Sequence, residues 1–411
     1  MSVLFWKAAR ALCLAAVALV AFLPPAQAAS PINIGVIAPV ATPPGKSFIN
    51  GAKLARDQIN AAGGVNGRPI KLFVFDDHAS SSDAVRAFQR AVQQDHVVAV
   101  TGVFISEVAL ALEPWSGRLH TPLIITGAAS TKIAKLVHDH YDRYKYTFQA
   151  FMNTKDMALT ACAVSKDIFV DELHYKTAAM LSEEAAWTKP FDEAVAKCLP
   201  KVGLKIVGKV HYPLDTSDYT PIFQKLGSSH PDVVINAIAH TGVRPVVQWH
   251  QSQFPALMAG PDGEGSSGGF WKATNGAAQG LIVGGTISAN GAALTPKTPA
   301  FYHAYRKKFH HTPAFSGYTT YDGVYLIKTA IEKAGSTNHK ALLEALENAD
   351  MVGASGRIAF TGRKDPLTHA LKYVRDMTGG VYFQWQNGKQ IVIWPKRIAQ
   401  GKVIFPDYMK H

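Results

Sequence analysis

A strand–helix–strand unit near the N-terminus most constrains how this chain can fold. Residues 32–37 and 70–75 are short apolar runs that predict strands buried on both faces. Between them, apolar residues recur at helical spacing up to residue 62, and Gly63-Gly64 follows, which predicts a helix that begins near Gly51. Neighbouring strands joined by a helix are parallel, with a right-handed crossover. The unit therefore predicts an α/β fold.

The same alternation of strand and helix continues along the chain and predicts two lobes. Strands are expected at 97–101 and 122–126, and three more, separated by helices, between residues 177 and 237. A chain of 411 residues is too long for one compact core. The expected fold class is α/β, with two doubly wound parallel-sheet lobes and a binding crevice at the carboxyl ends of the strands.

Three short segments are expected to cross between the lobes and to form a hinge, at 146–152, 281–286 and 357–360. Lobe 1 then comprises residues 29–148 and 286–358, and lobe 2 comprises residues 149–285 and 359–411. The aromatic-rich C-terminal tail is predicted to pair as a hairpin around Asn387-Gly388. A three-segment hinge can close two lobes on a ligand by changing few backbone angles.

The first 28 residues have the pattern of a secretory signal peptide. Lys7 and Arg10 form a basic region, an apolar run covers 11–23, and Ala26-Gln27-Ala28 is a small-x-small cleavage signal. The apolar run is shorter than the ~20 residues of a membrane span. We therefore expect a protein that is exported and free in the periplasm.

Charge and cysteine content limit the classes of partner. Without the signal segment the chain has 40 Lys and Arg against 30 Asp and Glu, a net charge of +10, and these charges are scattered rather than clustered. Nucleic acid is therefore not an expected partner. Cys162 and Cys198 fall on successive predicted helices, where an exported protein could form either a disulfide or two buried thiols.

Motifs typical of enzymes lack the context that their chemistry needs. The segment 263–269 matches GxGxxG and GxSxG, but both motifs require a strand just before them, and the preceding Pro261-Asp262-Gly263 indicates a turn. The group Asp76-Asp77-His78 and the pair His138 and His140 are better explained as polar surface than as metal ligands. We expect no enzyme activity, no cofactor and no metal.

Five stretches in a fixed order carry a resemblance to a known family. They are IxIGVIAP from residue 32, NGAKLARDQINAAGGVNGRPIKL from residue 50, DDHASSSDAVRAFQRAV from residue 76, GPDG at 260–263 and YTTYDGVYLIKTAIEKAGS at 318–336. This pattern resembles the type I periplasmic solute-binding proteins of the branched-chain amino acid ABC transporter family. The resemblance implies a monomeric receptor that delivers a small-molecule ligand to the permease subunits of an importer in the inner membrane.

The resemblance also implies where the ligand's carboxylate binds. Ser106 matches the Ser of the first family loop, and Ala128 and Ser130 match an Ala and a Thr in the next loop. Such loops present backbone N–H groups and hydroxyls at helix N-termini, which suits a carboxylate without a fixed positive charge. Ser130 keeps the hydroxyl of the family's Thr.

Three further residues are implied for the rest of the ligand. Trp187 replaces the aromatic residue of a YG motif that covers the ligand, with packing beneath a helix start as the alternative. Asp262 matches the carboxylate that pairs with the ligand's ammonium group, with a turn role as the alternative. His240 stands where family members have an aromatic-rich stretch, with an ordinary surface histidine as the alternative.

Two departures from the family pattern leave the ligand's identity open. The first loop, 40–48, is shorter than the family pattern and contains two prolines, and the aromatic-rich stretch is missing at 237–243. The leading hypothesis is a receptor for an amino acid. The alternatives are a receptor for aromatic or other organic acids, amides or urea-like solutes, and a ligand sensor that does not transport.

Overall fold

The computed structural model describes residues 30–286, 290–374 and 380–409. The predicted signal peptide, residues 1–28, lies outside these ranges. Within them, each helix is too short or too polar to cross a membrane.

The first sheet has five parallel strands in the order β2-β1-β3-β4-β5. Helices α1, α12 and α13 cover one face, and α2, α3 and α4 cover the other. The strands are β1 (Ile32–Ala38), β2 (Ile70–Asp76), β3 (Ala99–Gly102), β4 (Leu123–Ile125) and β5 (Thr147–Gln149). The helices are α1 (Pro43–Ala61), α2 (Ser81–Gln93), α3 (Ser106–Arg118), α4 (Thr131–Asp139), α5 (Tyr141–Tyr144), α12 (Phe315–Ala334) and α13 (His339–Glu347).

The second sheet has seven strands in the order β14-β13-β10-β9-β8-β6-β7. Five of them are parallel: β6 (Thr177–Glu183), β7 (Lys205–Tyr212), β8 (Val233–Ala237), β9 (Leu257–Pro261) and β10 (Ile282–Thr286). Its helices are α6 (Thr154–Val164), which continues as a π-helix over Ser165–Val170, α7 (Thr188–Val202), α8 (Thr220–Gly227), α9 (Val243–Gln251), α10 (Phe270–Ala273) and α11 (Lys297–Phe309). Helices α6 and α7 pack on one face, and α8, α9 and α11 pack on the other.

The C-terminal hairpin completes the second sheet at one edge. Strands β13 (Val381–Gln386) and β14 (Lys389–Trp394) are antiparallel, and β13 also pairs antiparallel with β10. Asn387 and Gly388 have φ values of 50° and 78°, the left-handed conformations of a two-residue type I′ turn. The predicted hairpin is confirmed, and the sheet is mixed rather than wholly parallel. A separate antiparallel pair, β11 (Asp350–Val352) and β12 (Arg357–Ala359), lies between α13 and the hairpin.

Two predictions about the first unit were wrong. Helix α1 begins at Pro43, not near Gly51, because prolines fit the first positions of a helix, where their missing N–H is not needed, and the Thr42 hydroxyl accepts a hydrogen bond from Gly45 N at 3.0 Å. Gly51 instead lies where α1 crosses α12: a Cβ there would stand 2.1 Å from the Gly317 carbonyl oxygen. Strand β2 is an edge strand, so Val74 is 40% exposed rather than buried.

The segment around Asp262 also differs from the prediction. Strand β9 ends at Pro261, so a buried strand does precede the glycine-rich segment 263–269. The Pro-Asp-Gly sequence marks the end of that strand, where Asp262 Oδ1 accepts a hydrogen bond from Gly265 N at 2.7 Å and closes the turn. The expected absence of a strand before the glycine-rich segment 263–269 is therefore wrong.

Cys162 and Cys198 form a disulfide that joins α6 to α7, with their Cα atoms 6.2 Å apart. Of the two alternatives for these thiols, the structure has the bridge. The predicted lobe boundaries and hinge segments stay predictions, and the strands of the first sheet all precede those of the second in the chain.

We expect the disulfide to stabilise the protein by restricting the unfolded chain. For a loop of 36 residues the chain-entropy relation gives about 3–4 kcal/mol. Replacing both cysteines with serine should lower the melting temperature, and the wild-type protein in reductant should melt at the same lower temperature. A thiol titration of the denatured protein without reductant should find neither cysteine free. Two free thiols there would contradict the bridge.

Candidate functional site

A cavity lies between the two sheets, at the carboxyl ends of their parallel strands. Most of the residues that line it come directly after strands β3, β4 and β5 of the first sheet and β6, β8 and β9 of the second, as the doubly wound topology predicts. The lining residues are Phe104, Ser106, Gly127, Ala129, Phe151, Met157, Trp187, Ile238, Ala239, His240, Pro261, Asp262, Gly263 and Phe315. The cavity volume is about 40 Å³. Because one water needs at least about 10–15 Å³, the space holds a few waters, and a larger ligand requires the walls to move apart.

Aromatic rings form most of the apolar wall. Phe104 and Phe315 have ring centroids 6.2 Å apart, and Phe151 stacks on Phe315 at 5.2 Å. Trp187 is 5% exposed and lies 6.0 Å from the ring of Phe191. These rings can enclose the apolar part of a ligand by edge and face contacts. Trp187 thus lines the cavity and also packs at the start of α7, the two alternatives considered for it.

The residues predicted for the carboxylate lie together, but only one lines the cavity. Ser106 is buried at the first residue of α3, and its Oγ accepts a hydrogen bond from Ser130 N at 3.2 Å. The first N–H groups of a helix are free to bind an anion. Ser130 and Ala128 are buried beside the cavity and are not part of its lining. Their predicted roles as ligand residues stay predictions.

Ser130 instead connects the two halves of the site. Its hydroxyl donates to the Ala186 carbonyl oxygen at 3.2 Å, and Glu107 Oε1 accepts a hydrogen bond from Ala186 N at 2.7 Å. Ser130 and Glu107 belong to the first-sheet half, whereas Ala186 lies in the loop between β6 and α7. Both backbone polar groups of Ala186 are therefore bound across the cleft.

Asp262 has one carboxylate oxygen in the turn and the other without a partner. The side chain is 1% exposed, and Oδ2 has no hydrogen bond to the chain that the structure describes. Burial raises the pKa of this carboxyl to about 8, since an ionised carboxylate is costly away from water. The group therefore fits both alternatives: Oδ1 holds the turn, and Oδ2 is left for a donor that the chain itself does not supply.

His240 lines the cavity and is not an ordinary surface histidine. Its side chain is 18% exposed, and Nδ1 lies 2.6 Å from Oε1 of Glu183, which is fully buried at the end of β6. Burial alone would lower the pKa of His240, but the hydrogen bond and charge of Glu183 outweigh it and raise that pKa. His240 thus has a buried counter-ion within the same wall.

Sequence reasoning missed Glu183 and the phenylalanine rings. Glu183 ends a strand in a run of two glutamates, and only its burial distinguishes it from the exposed Glu184. Phe104 follows the strand predicted at 97–101 and found at Ala99–Gly102, so its position at a strand end was an available signal. Phe151 lies within the segment 146–152, which was expected to cross between the lobes. Phe315 comes from the start of α12, which the chain order alone does not place at the cavity.

The match to a known family covers most of the chain. The family described as periplasmic binding protein matches residues 31–380. The chain belongs to the periplasmic binding protein family. Among its relatives, a Leu/Ile/Val-binding protein homolog from Brucella abortus is 25% identical over 402 residues, which are 93% of this chain and 96% of that relative.

Solved structures of binding proteins share the fold. A branched-chain amino acid transporter substrate-binding protein from Streptococcus pneumoniae, in complex with isoleucine, is similar with a TM-score of 0.74 and 20% identity, over 88% of this chain and 97% of that chain. A solute-binding protein from Rhodopseudomonas palustris, in complex with 3,4-dihydroxybenzoic acid, is similar with a TM-score of 0.73 and 21% identity, over 88% and 95%. The predicted type I periplasmic binding fold is confirmed.

These comparisons define the general role of the protein. It is a periplasmic binding protein by family, and it is similar to Leu/Ile/Val-binding proteins. Membership in a family of transporter binding proteins fits the prediction that the protein is not an enzyme.

We expect the free energy of unfolding of Asp262→Asn, relative to that of the wild type and without ligand, to increase as the pH rises. The folded carboxyl keeps its proton up to a pKa of about 8, whereas the unfolded one ionises near 3.8, so this group lowers stability progressively between those pH values. The asparagine does not titrate. At pH 8 the variant should therefore gain at least about 1 kcal/mol over the wild type, relative to their difference at pH 5. Urea unfolding at both pH values measures this, and a pH-independent difference would show that Asp262 ionises normally.

Proposed function

We propose that this protein is the periplasmic receptor of an ABC importer and that it binds one L-amino acid in the cavity between its two sheets. The observation that carries the proposal is Asp262, whose Oδ2 is buried at the cavity without a hydrogen-bond donor from the described chain. An ammonium group is the partner that such an oxygen lacks, because it supplies both a donor and a positive charge. Isoleucine in the Streptococcus pneumoniae complex supports this class of ligand.

The first-sheet wall supports the other end of an amino acid. Ser106 and the free N–H groups at the start of α3 can accept a carboxylate at the cavity, since helix N-termini favour anions. The apolar side chain then lies among Phe104, Phe151 and Phe315. Each part of an amino acid thus has a chemically matched wall.

A second candidate is a receptor for aromatic acids. The rings of the cavity wall suit a flat ligand, and the similar protein from Rhodopseudomonas palustris binds 3,4-dihydroxybenzoic acid. In that case Asp262 would keep its proton and donate to the ligand, or act in the turn alone. The presence of an amine in the ligand separates the two candidates.

Transport depends on closure of the two halves of the protein around the ligand. We propose that the two halves, each built on one sheet, open and close about the connecting segments, because the cavity is too small for an amino acid in its present form. The hydrogen bonds of Ala186 to Glu107 and Ser130 then form on closing. The closed monomer in the periplasm is the form that the permease subunits recognise.

A thermal-shift screen identifies the ligand class. We expect L-leucine, L-isoleucine, L-valine or L-phenylalanine to raise the melting temperature of residues 29–411, because a ligand that binds only the folded state stabilises it. Benzoate, 3,4-dihydroxybenzoate and urea are screened alongside. Shifts confined to acids without an amine would overturn the amino-acid proposal in favour of the second candidate.

Asp262→Asn tests the ammonium partner. For the amino acid with the largest shift, we expect the variant to lose at least about 30-fold in affinity, or ~2 kcal/mol, because the charged partner of a buried ammonium is removed. The deaminated analogue of the same amino acid should bind wild type and variant alike. Glu184→Gln, at an exposed carboxylate outside the cavity lining, is the control and should bind the amino acid as the wild type does. Isothermal calorimetry measures all five affinities.

Binding of an amino acid should also release a proton. Asp262 in the empty protein is mostly protonated at pH 7, because burial raises its pKa to about 8, and an ammonium partner favours its ionised form. Affinity should therefore increase by about tenfold per pH unit between pH 6 and pH 7.5 and level off above pH 8. Calorimetry in buffers of different ionisation enthalpy should count nearly one proton released at pH 7. No proton release would indicate that Asp262 does not meet the ammonium.

A further inference from the structure

Glu183 is the most completely buried charged group beside the cavity, and its carboxylate accepts four hydrogen bonds. It ends β6 and its side chain is 0% exposed. Oε1 accepts from His240 Nδ1 at 2.6 Å and from Trp187 Nε1 at 3.3 Å. Oε2 accepts from His240 N at 3.0 Å and from the Thr241 hydroxyl at 3.3 Å. An ionised carboxylate accepts several hydrogen bonds and donates none, so this set of donors is matched to it.

The four donors come from two loops that both reach the cavity. Trp187 follows β6 along the chain, whereas His240 and Thr241 follow β8, the strand next to β6 in the sheet. Trp187 and His240 are cavity-lining residues, and Glu183 itself is not. One buried carboxylate therefore ties together two separate pieces of the second-sheet wall.

Charged groups from several elements face His240. Besides Glu183 from β6, they are Glu107 from α3 and Glu264 from the loop after β9. Asp262 lines the same cavity, and the Tyr212 hydroxyl from β7 lies 2.9 Å from the hydroxyl of Thr241, the residue after His240. Burial alone would raise the pKa of Glu183, but the hydrogen bond and charge of His240 outweigh it and lower that pKa. The pKa of His240 is raised in return. The two groups thus favour an ion pair within the wall.

The ring of His240 has a second nitrogen that the wall does not use. Nδ1 is committed to Glu183, and Nε2 has no hydrogen bond to the residues that the structure describes. Since Nδ1 and Nε2 both carry hydrogen in the imidazolium form, Nε2 is then a charged donor. A ligand oxygen in the cavity is the acceptor that could meet it.

We propose that Glu183 is the positioning residue of this site: it fixes the Trp187 and His240 rings at the cavity and makes His240 Nε2–H a charged hydrogen-bond donor to an acceptor oxygen of the ligand. The inference rests on the proposed function in taking the cavity as the ligand site. It adds a requirement that Asp262 and Ser106 do not impose, namely that the ligand brings an oxygen to the second-sheet wall at His240.

The first test needs no ligand. Imidazole nitrogen and proton shifts of histidine-labelled protein are followed from pH 5 to pH 9, with His240→Asn to assign the resonance and Trp187→Phe to assign the indole N–H. In Glu183→Gln we expect the titration midpoint of His240 to fall by about one unit or more, because an opposite charge in contact is lost. The Trp187 indole proton should shift as well. An unchanged midpoint in a folded variant would overturn the proposal.

Two further variants separate positioning from simple loss of structure. Glu183→Asp keeps the charge and should restore part of the His240 midpoint, which a purely structural role does not predict. Glu184→Gln is the matched control: the same change at the next residue, which is exposed, should leave the midpoint and the indole shift as in the wild type. Melting temperatures of all variants show that the spectra report folded protein.

The second test uses L-leucine and L-phenylalanine as probes. If either binds the wild type, Glu183→Gln should weaken it at least about 10-fold at pH 7, and the loss should shrink as the pH falls below the His240 midpoint that the first test gives for this variant. An equal loss above and below that midpoint would contradict the role assigned to His240. If none of the four screened amino acids binds, the proposed function fails, and the ligand-free titration still decides whether Glu183 governs His240.

Discussion

The candidate site of this binding protein depends on one buried carboxyl group, that of Asp262. Asp262 lies at the end of a strand in the interior, where ionisation is costly, and one of its oxygens has no donor in the described chain. Folding supplies the position of this group, but only a bound cation supplies its partner. On the proposed function, the empty protein gives up stability at Asp262 and recovers it when an ammonium group binds. This exchange couples the ligand's chemistry to the free energy of the folded state.

The fold brings that carboxyl next to the other residues of the candidate site. Parallel strands end at one edge of each sheet, so the loops that follow β3, β4 and β5 face those that follow β6, β8 and β9. The first sheet contributes the helix N-terminus at Ser106, and the second contributes Asp262, His240 and Trp187. A site divided in this way is complete only when the two halves meet, and the hydrogen bonds of Ala186 across the cleft hold them together.

Local patterns in the sequence predicted what depends on local physics. The strand–helix alternation and the Asn387-Gly388 turn followed from periodicity and turn chemistry. The expected start of α1 near Gly51 is wrong because Pro43 and Pro44, which suggest a loop, also fit the first turn of a helix. The pairing of Glu183 with His240 joins residues 57 positions apart, and its strength comes from burial that no local pattern reveals.

The most direct test of the central claim is a crystal structure of the protein with the amino acid that gives the largest thermal shift. We expect the ligand's nitrogen to lie within about 3 Å of Asp262 Oδ2, as in a charge-assisted hydrogen bond, with its carboxylate at Ser106 and the start of α3. A ligand bound in the cavity with its nitrogen directed away from Asp262, or bound outside the cavity, would contradict it.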